Sequence, residues 1–185
     1  MNSYAVFLRG INVGGINIKM AELRKALESQ PFSAVQTILA SGNVVLSSDL
    51  GATEVKQTCE DCLRKAFGYD AWVVVLAAGR VAELVDACPY PADDKATHTY
   101  LTLASDPAML DELLEAAGTF SDGETVEYTR LGPEALAWLA PAGGTLESPM
   151  SKLSGKARYK ATTTTRNLRT MIKVRDAAAA LVSPA

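Results

Sequence analysis

The stretch AVQTILASGNVVLSS (34–48) sets the architecture of the first half of the chain. Val35, Thr37 and Leu39 alternate with Gln36, Ile38 and Ala40, the period-two pattern of a strand. Ser41, Gly42 and Asn43 are turn formers, and VVLSS (44–48) runs back as a second strand. Upstream, SYAVFLR (3–9) reads as a strand, and Met20, Leu23 and Leu27 mark the apolar face of a helix ending near Gln30 and Pro31. Downstream, Thr53 is placed to cap a helix running to about Phe67. AWVVVLA (71–77) follows as an all-apolar strand, expected to be buried on both faces. The order β-α-β-β-α-β is the split-βαβ, or ferredoxin-like, arrangement.

The second half repeats the theme. Residues 79–88 read as a short helix closed by Pro89 and Pro91, and the acidic, Pro-rich CPYPADDKA (88–96) reads as a linker. HTYLTLA (98–104), a helix from Asp106 to about Ala117, ETVEYTRL (124–131), EALAWLA (134–140) and a last helix from about Asn167 to Leu181 give β-α-β-β-α. The expected fold is therefore α+β with two ferredoxin-like lobes. Their bounds are 1–78 and 97–185, with a helix and linker over 79–96. A basic C-terminal segment and helix end the second lobe.

Of the 185 residues, 48% are apolar, enough for a real core. No run approaches the roughly 18 apolar residues of a membrane span, and no basic stretch leads into an apolar one, so the expected setting is the cytoplasm. Cys59, Cys62 and Cys88 are too few and too uneven for a disulfide framework. Cys59 and Cys62 fall with Val55, Leu63, Ala66 and Phe67 on one helical face, where they serve as small core residues. His98 is the only histidine, and no metal site or cofactor is expected. The net charge of −3 conceals an asymmetry. Residues 1–150 carry ten Lys/Arg against twenty acids, whereas 151–185 carry eight against Asp176 alone. Such a tail either docks on the acidic body or presents an anion site.

Three stretches are candidates for that site. In LRGINVGGINIKM (8–20), Gly10 and Gly15 have the spacing of a Walker A loop, but Ile16 and Asn17 stand where Lys and Ser/Thr belong. What remains is a loop able to aim backbone N–H groups into one concavity, at a helix N-terminus. Arg9 and Lys19 flank it, with Asn12, Gly14 and Gly15 between. A tight strand-to-helix connection is the competing reading. At 41–43, Gly42 suits a turn, while Ser41 and Asn43 serve either the turn or a ligand. This turn is expected at the opposite end of the sheet from the glycine loop. In the tail, the hydroxyls of Thr162 to Thr165 lead into Arg166 and Asn167, and either cap the last helix or join Lys152 around an anion.

Taken together, LRGINVGG (8–15), KMAELRKALE (19–28), ASGNVVL (40–46), MSKL (150–153) and TTRNLRT (164–170) resemble the bacterial domain of unknown function 1697. The resemblance spans nearly the whole chain and implies an α+β fold of ferredoxin-like lobes, without an activity. Its motif positions here are Arg9, Gly10, Asn12, Gly14, Gly15, Lys19, Met20, Ser41, Gly42, Asn43, Ser151, Lys152, Thr165, Arg166 and Asn167. Leu168 departs from the Trp usual after TTRN in the family, which removes an indole from any ligand contact there.

The functional expectation is a small phosphate- or carboxylate-bearing ligand, held where the glycine loop and the TTRN segment approach each other. Catalysis is left open, because no nucleophile or base stands out. One alternative is nucleic-acid binding through the basic 151–175 segment, which the acidic body and the lack of strand-three aromatics disfavour. The other is a structural or dimerisation module. A monomer or homodimer is expected in either case.

Overall fold

A computed structural model describes residues 1–12, 16–119, 127–144, 146 and 148–182. The chain divides into two compact units, Met1–Glu83 with Ile172–Ala185, and Leu84–Met171.

The first unit contains β1 (Asn2–Arg9), α1 (Met20–Glu28), β2 (Ser33–Ile38), β3 (Asn43–Ser48), α2 (Ala52–Phe67) and β4 (Trp72–Ala77), followed by the start of α3 (Ala78–Ala87). Its sheet has the order β2-β3-β1-β4 with every neighbouring pair antiparallel, the ferredoxin-like topology. Tyr4, Val6 and Leu8 on β1, with Val44, Leu46 and Val73, face Leu23 and Leu27 of α1 and Val55, Cys59 and Leu63 of α2 in one apolar cluster. Each such side chain contributes about 1.5–3 kcal/mol on leaving water. Both cysteines of α2 are in this core, as their helical spacing predicts. The cap of α2 differs from expectation: the helix begins one residue before Thr53. The Gly51 N–H donates to Glu54 Oε2 (2.9 Å), and Gly68 ends the helix at φ +68°. A carboxylate three residues into the helix reaches the free N–H more directly than a threonine already inside the first turn.

One expectation is overturned. Both β1 and β2 run antiparallel to β3, so they are parallel to each other and end at the same edge of the sheet. The turn after β2 therefore lies beside the glycine loop. Phe7 pairs with Asn43, and the Leu8 N–H donates to the Gly42 carbonyl at 2.8 Å.

The second unit holds most of the remaining elements: β5 (Thr97–Ala104), α4 (Pro107–Thr119), β6 (Tyr128–Gly132), β7 (Ala135–Pro141), α5 (Pro149–Ser154), α6 (Ala157–Lys160) and β8 (Thr163–Asn167). The last helix, α7 (Leu168–Val182), starts here and continues through the segment grouped with the first unit. Of the expected strand over 124–131, residues 124–126 lie outside the described residues. The sheet order β6-β7-β5-β8 repeats that of the first unit. The TTRN segment corrects the sequence reading, because it is a fourth strand and not a lead-in to a helix. Thr163 to Asn167 pair antiparallel with Tyr100 to Ala104. Threonine is β-branched and stiff at χ1, and four in succession favour the pleated backbone over a helical start.

Neither sheet leaves its central strands open. Tyr4 to Leu8 on β1, all of β3, and Leu101 to Ala104 on β5 are buried without a break, so both faces of these strands are out of solvent. No helix among the described residues is long and apolar enough to cross a membrane.

Candidate functional site

Three of the four left-handed backbone positions at the rim of the first sheet arise from local chemistry. Gly10 ends β1 at φ +78°, Asn12 follows at +55°, Leu39 closes β2 at +61°, and Gly42 starts β3 at +78°. Glycine adopts this region freely and asparagine tolerates it, whereas an exposed leucine there is uncommon and costs about 1 kcal/mol. Gly42 has a second reason to lack a side chain: a Cβ would stand 2.5 Å from Ile11 Cδ1 and 3.0 Å from Leu8 Cβ. At Gly10, by contrast, the same construction meets nothing within 4 Å among the described residues.

The two asparagines hold this rim together. Asn12 Nδ2 donates to the Ala40 carbonyl (2.6 Å), and its Oδ1 accepts the Ile18 N–H (2.9 Å). One side chain thus ties the start of the glycine loop to its end and to the neighbouring turn. Asn43 is fully buried and donates to the Ile38 carbonyl (2.8 Å) and Ser41 Oγ (3.0 Å), closing the β2–β3 turn. Ser41 itself is exposed. Arg9 lies half-buried across from Trp72 of β4, and burial pulls its guanidinium below the ordinary arginine range. Lys19 stands exposed just ahead of α1, 3.8 Å from Glu22, with its carbonyl accepting the first helical N–H groups. The structure therefore brings Arg9, Asn12, Ser41 and Asn43 to one edge. Gly14 and Gly15 lie outside the described residues.

In the second unit, the strand register sends the TTRN side chains to alternate faces. Thr165 Oγ1 meets Thr102 Oγ1 at 2.9 Å, and Thr102 also accepts Trp138 Nε1 at 3.0 Å, a polar chain on the helix-covered face. Arg166, opposite Leu101, points the other way and is 8% exposed. Its Nη1 donates to Thr164 Oγ1 (2.8 Å) and to the Thr165 carbonyl (2.9 Å). Asn167 accepts the Arg169 N–H (2.9 Å) and so caps α7, one of the two roles its position allowed. Lys152 is an exposed residue of α5. The sequence offered Thr164 only as one of four hydroxyls in the Thr162–Thr165 run, and the structure pairs it with Arg166. The signal was the two-residue offset from Arg166, which places both on one face only if the segment is extended.

Two further arginines of the tail meet acids of their own unit. Arg158 grips Glu112 of α4 with two bonds, Nε to Oε1 (2.5 Å) and Nη2 to Oε2 (2.6 Å), and Tyr159 adds a third at 3.0 Å. Arg169 lies 3.5 Å from Asp93. Burial pushes the thiols of Cys59, Cys62 and Cys88 up, away from the thiolate form that reacts. Among the described residues no group of three or more His, Cys, Asp or Glu could hold a metal ion.

The solved structure of the conserved bacterial protein SP0830 from Streptococcus pneumoniae is similar to this chain. Its TM-score is 0.76 at 19% identity, covering 96% of this chain and 98% of that one. At that identity the likeness speaks for a shared fold. An unknown protein from Galdieria sulphuraria is 11% identical over 90% of this chain and 96% of its own, but at a TM-score of 0.25 it carries no argument. No curated protein matches. The family model that matches covers residues 1–130 and is described as a protein of unknown function, DUF1697.

Proposed function

The chain belongs to the DUF1697 family, and from that premise we propose that it binds a small ligand bearing a phosphate or carboxylate. The observation that carries this reading is the rim of the first unit. There a partly desolvated arginine ends a strand beside Gly10, whose Cβ position meets none of the described residues, and Asn12 pins the adjoining loop to the neighbouring turn. A guanidinium taken partly out of water gains most from an anion that meets it with two bonds. Asn12 and Asn43 then act by holding the backbone, while Arg9, Lys19 and Ser41 supply the groups a ligand touches. In the second unit, Arg166 with Thr164 on one face of β8, and Lys152 on α5, offer similar chemistry, while the Thr165 hydroxyl is turned to the other face and bonded to Thr102. If a reaction occurs, stabilising a developing anion is what such residues contribute.

Binding of nucleic acid through 151–175 has less support. Arg158 and Arg169 pair with Glu112 and Asp93, and the central strands of both sheets lack an exposed face on which bases could stack.

The test is a thermal-shift screen at low salt with nucleotides, sugar phosphates, dicarboxylates and short oligonucleotides. It uses wild type, Arg9→Ala and Arg166→Ala. A ligand at a hundred times its dissociation constant adds ~2.7 kcal/mol, roughly 5–10 °C for a protein of this size. A shift of that size from a small anion, abolished in either variant, supports the reading and says which unit carries it. Equal shifts in all three proteins, or none from any compound, would sink it.

A further inference from the structure

Edge strands expose unpaired N–H and C=O groups, and proteins blunt them with bulges, charges or covers. Here β2 carries a register break between Ser33 and Gln36, with Ala34 at φ +51°. β6 carries one between Arg130 and Gly132, where the Arg130 side chain also bonds the carbonyls of Gly132 (2.6 Å) and Pro133 (2.7 Å). β4 has no such device in its backbone. Its register with β1 runs unbroken from Tyr4–Ala77 to Arg9–Trp72. Its sequence, WVVVLA, opens with four residues of high β propensity and holds no charge or proline, a composition that readily recruits another strand.

The geometry on its outer side supplies what the backbone lacks. The Leu8 N–H is committed to Gly42 on the β3 side. Leu8 and Val73 are therefore a non-hydrogen-bonded pair, and the Val73 N–H and C=O point away from the sheet. Both are taken by side chains from one helix. The Val73 N–H donates to Glu60 Oε1 (3.1 Å), and Lys56 Nζ donates to the Val73 carbonyl (3.0 Å). Lys56 and Glu60 also pair with each other one turn apart on α2, at 27% and 13% side-chain exposure. A lysine and a glutamate thus imitate the donor and the acceptor that a neighbouring strand would present. We propose that the Lys56–Glu60 pair is an edge guard, which closes β4 against strand addition by a second copy of this chain.

Two measurements on the full chain test it, with wild type, Lys56→Ala/Glu60→Ala and Glu60→Gln. Hydrogen exchange at the Val73 amide is expected to quicken about tenfold in the double variant, as for one hydrogen bond lost, and to change little in Glu60→Gln, which keeps an acceptor. Light scattering behind size exclusion should show the double variant's mean mass rising with concentration beyond that of wild type, while Glu60→Gln follows wild type. Unchanged Val73 exchange in the double variant would overturn the clasp. Faster exchange with a wild-type mass at every concentration would overturn its guarding role. Should the double variant fail to fold, Lys56→Ala, which frees only the Val73 carbonyl, is read by its mass alone: a rise with concentration beyond wild type supports the guard, and a wild-type mass overturns it.

Discussion

At the scale of single residues, the glycine-loop rim is held by positions that tolerate almost nothing else. Gly42→Ala places a Cβ at φ +78° and against Ile11 at 2.5 Å, so strain and overlap add. The expected loss is about 1–3 kcal/mol, read as a lower midpoint in urea unfolding, with Gly10→Ala costing less because its Cβ meets none of the described residues. Asn12→Ala removes two hydrogen bonds that join three backbone segments. It should cost roughly 1–2 kcal/mol, and an equal midpoint for Asn12→Ala and wild type would show that the bonds do not hold the rim. The asparagine could be picked out in the sequence as a polar residue among glycines. That it spends both ends of its amide on the chain could not, since Ala40 is 28 residues away.

At the scale of elements, the second sheet depends on a hydroxyl shared between three strands. Thr102 on β5 accepts from Trp138 on β7 and meets Thr165 on β8. Thr102→Val keeps the shape but leaves the buried indole N–H without its acceptor. The expected cost is about 1–3 kcal/mol, measured by thermal unfolding, while Thr165→Val alone leaves the indole bond intact and costs less. Strand β8 also shows where element reading fails. A run of threonines ahead of an amphipathic helix satisfies the rules for a cap, and Asn167 does cap α7. The same run, with its β-branched side chains, fits a ladder beside β5. Only the presence of β5 at hydrogen-bonding distance chooses between them.

At the scale of the molecule, an arginine of the basic tail is held by an acid of the second unit's body. Arg158 holds the Glu112 carboxyl below the usual carboxylate range, its hydrogen bond being the largest cause. A carboxylate with a depressed folded pKa stabilises above its unfolded value, near 4.3, and that contribution is lost as pH falls through the folded value. Glu112→Gln should therefore unfold at lower urea than wild type at pH 7, with the gap narrowing below pH ~4. A gap of equal size at pH 7 and pH 3 would mean that packing of α4 on α6, and not charge, sets the difference.

Much of the architecture was legible because it rests on short-range patterns. Period-two strands, the apolar stripes of α1 and α2, and the turn at 41–43 place the elements within a few residues of their observed ends. The element order alone implied the ferredoxin-like lobes, since a hairpin between two helices admits few pairings. The motif residues were also visible as polar and glycine positions in apolar surroundings. Which sheet edge they share was not. It follows from strand polarity: an antiparallel β3 inserted between β1 and β2 makes those two parallel and brings the SGN turn beside the RGIN loop. Nor could the sequence say that Thr165 and Arg166 face opposite ways, or that Lys56 and Glu60 reach Val73. A side chain's direction depends on the partner strand that makes its backbone extended, and that partner lies far along the chain. Local sequence determines what each segment can form; long-range pairing decides which of its groups meet.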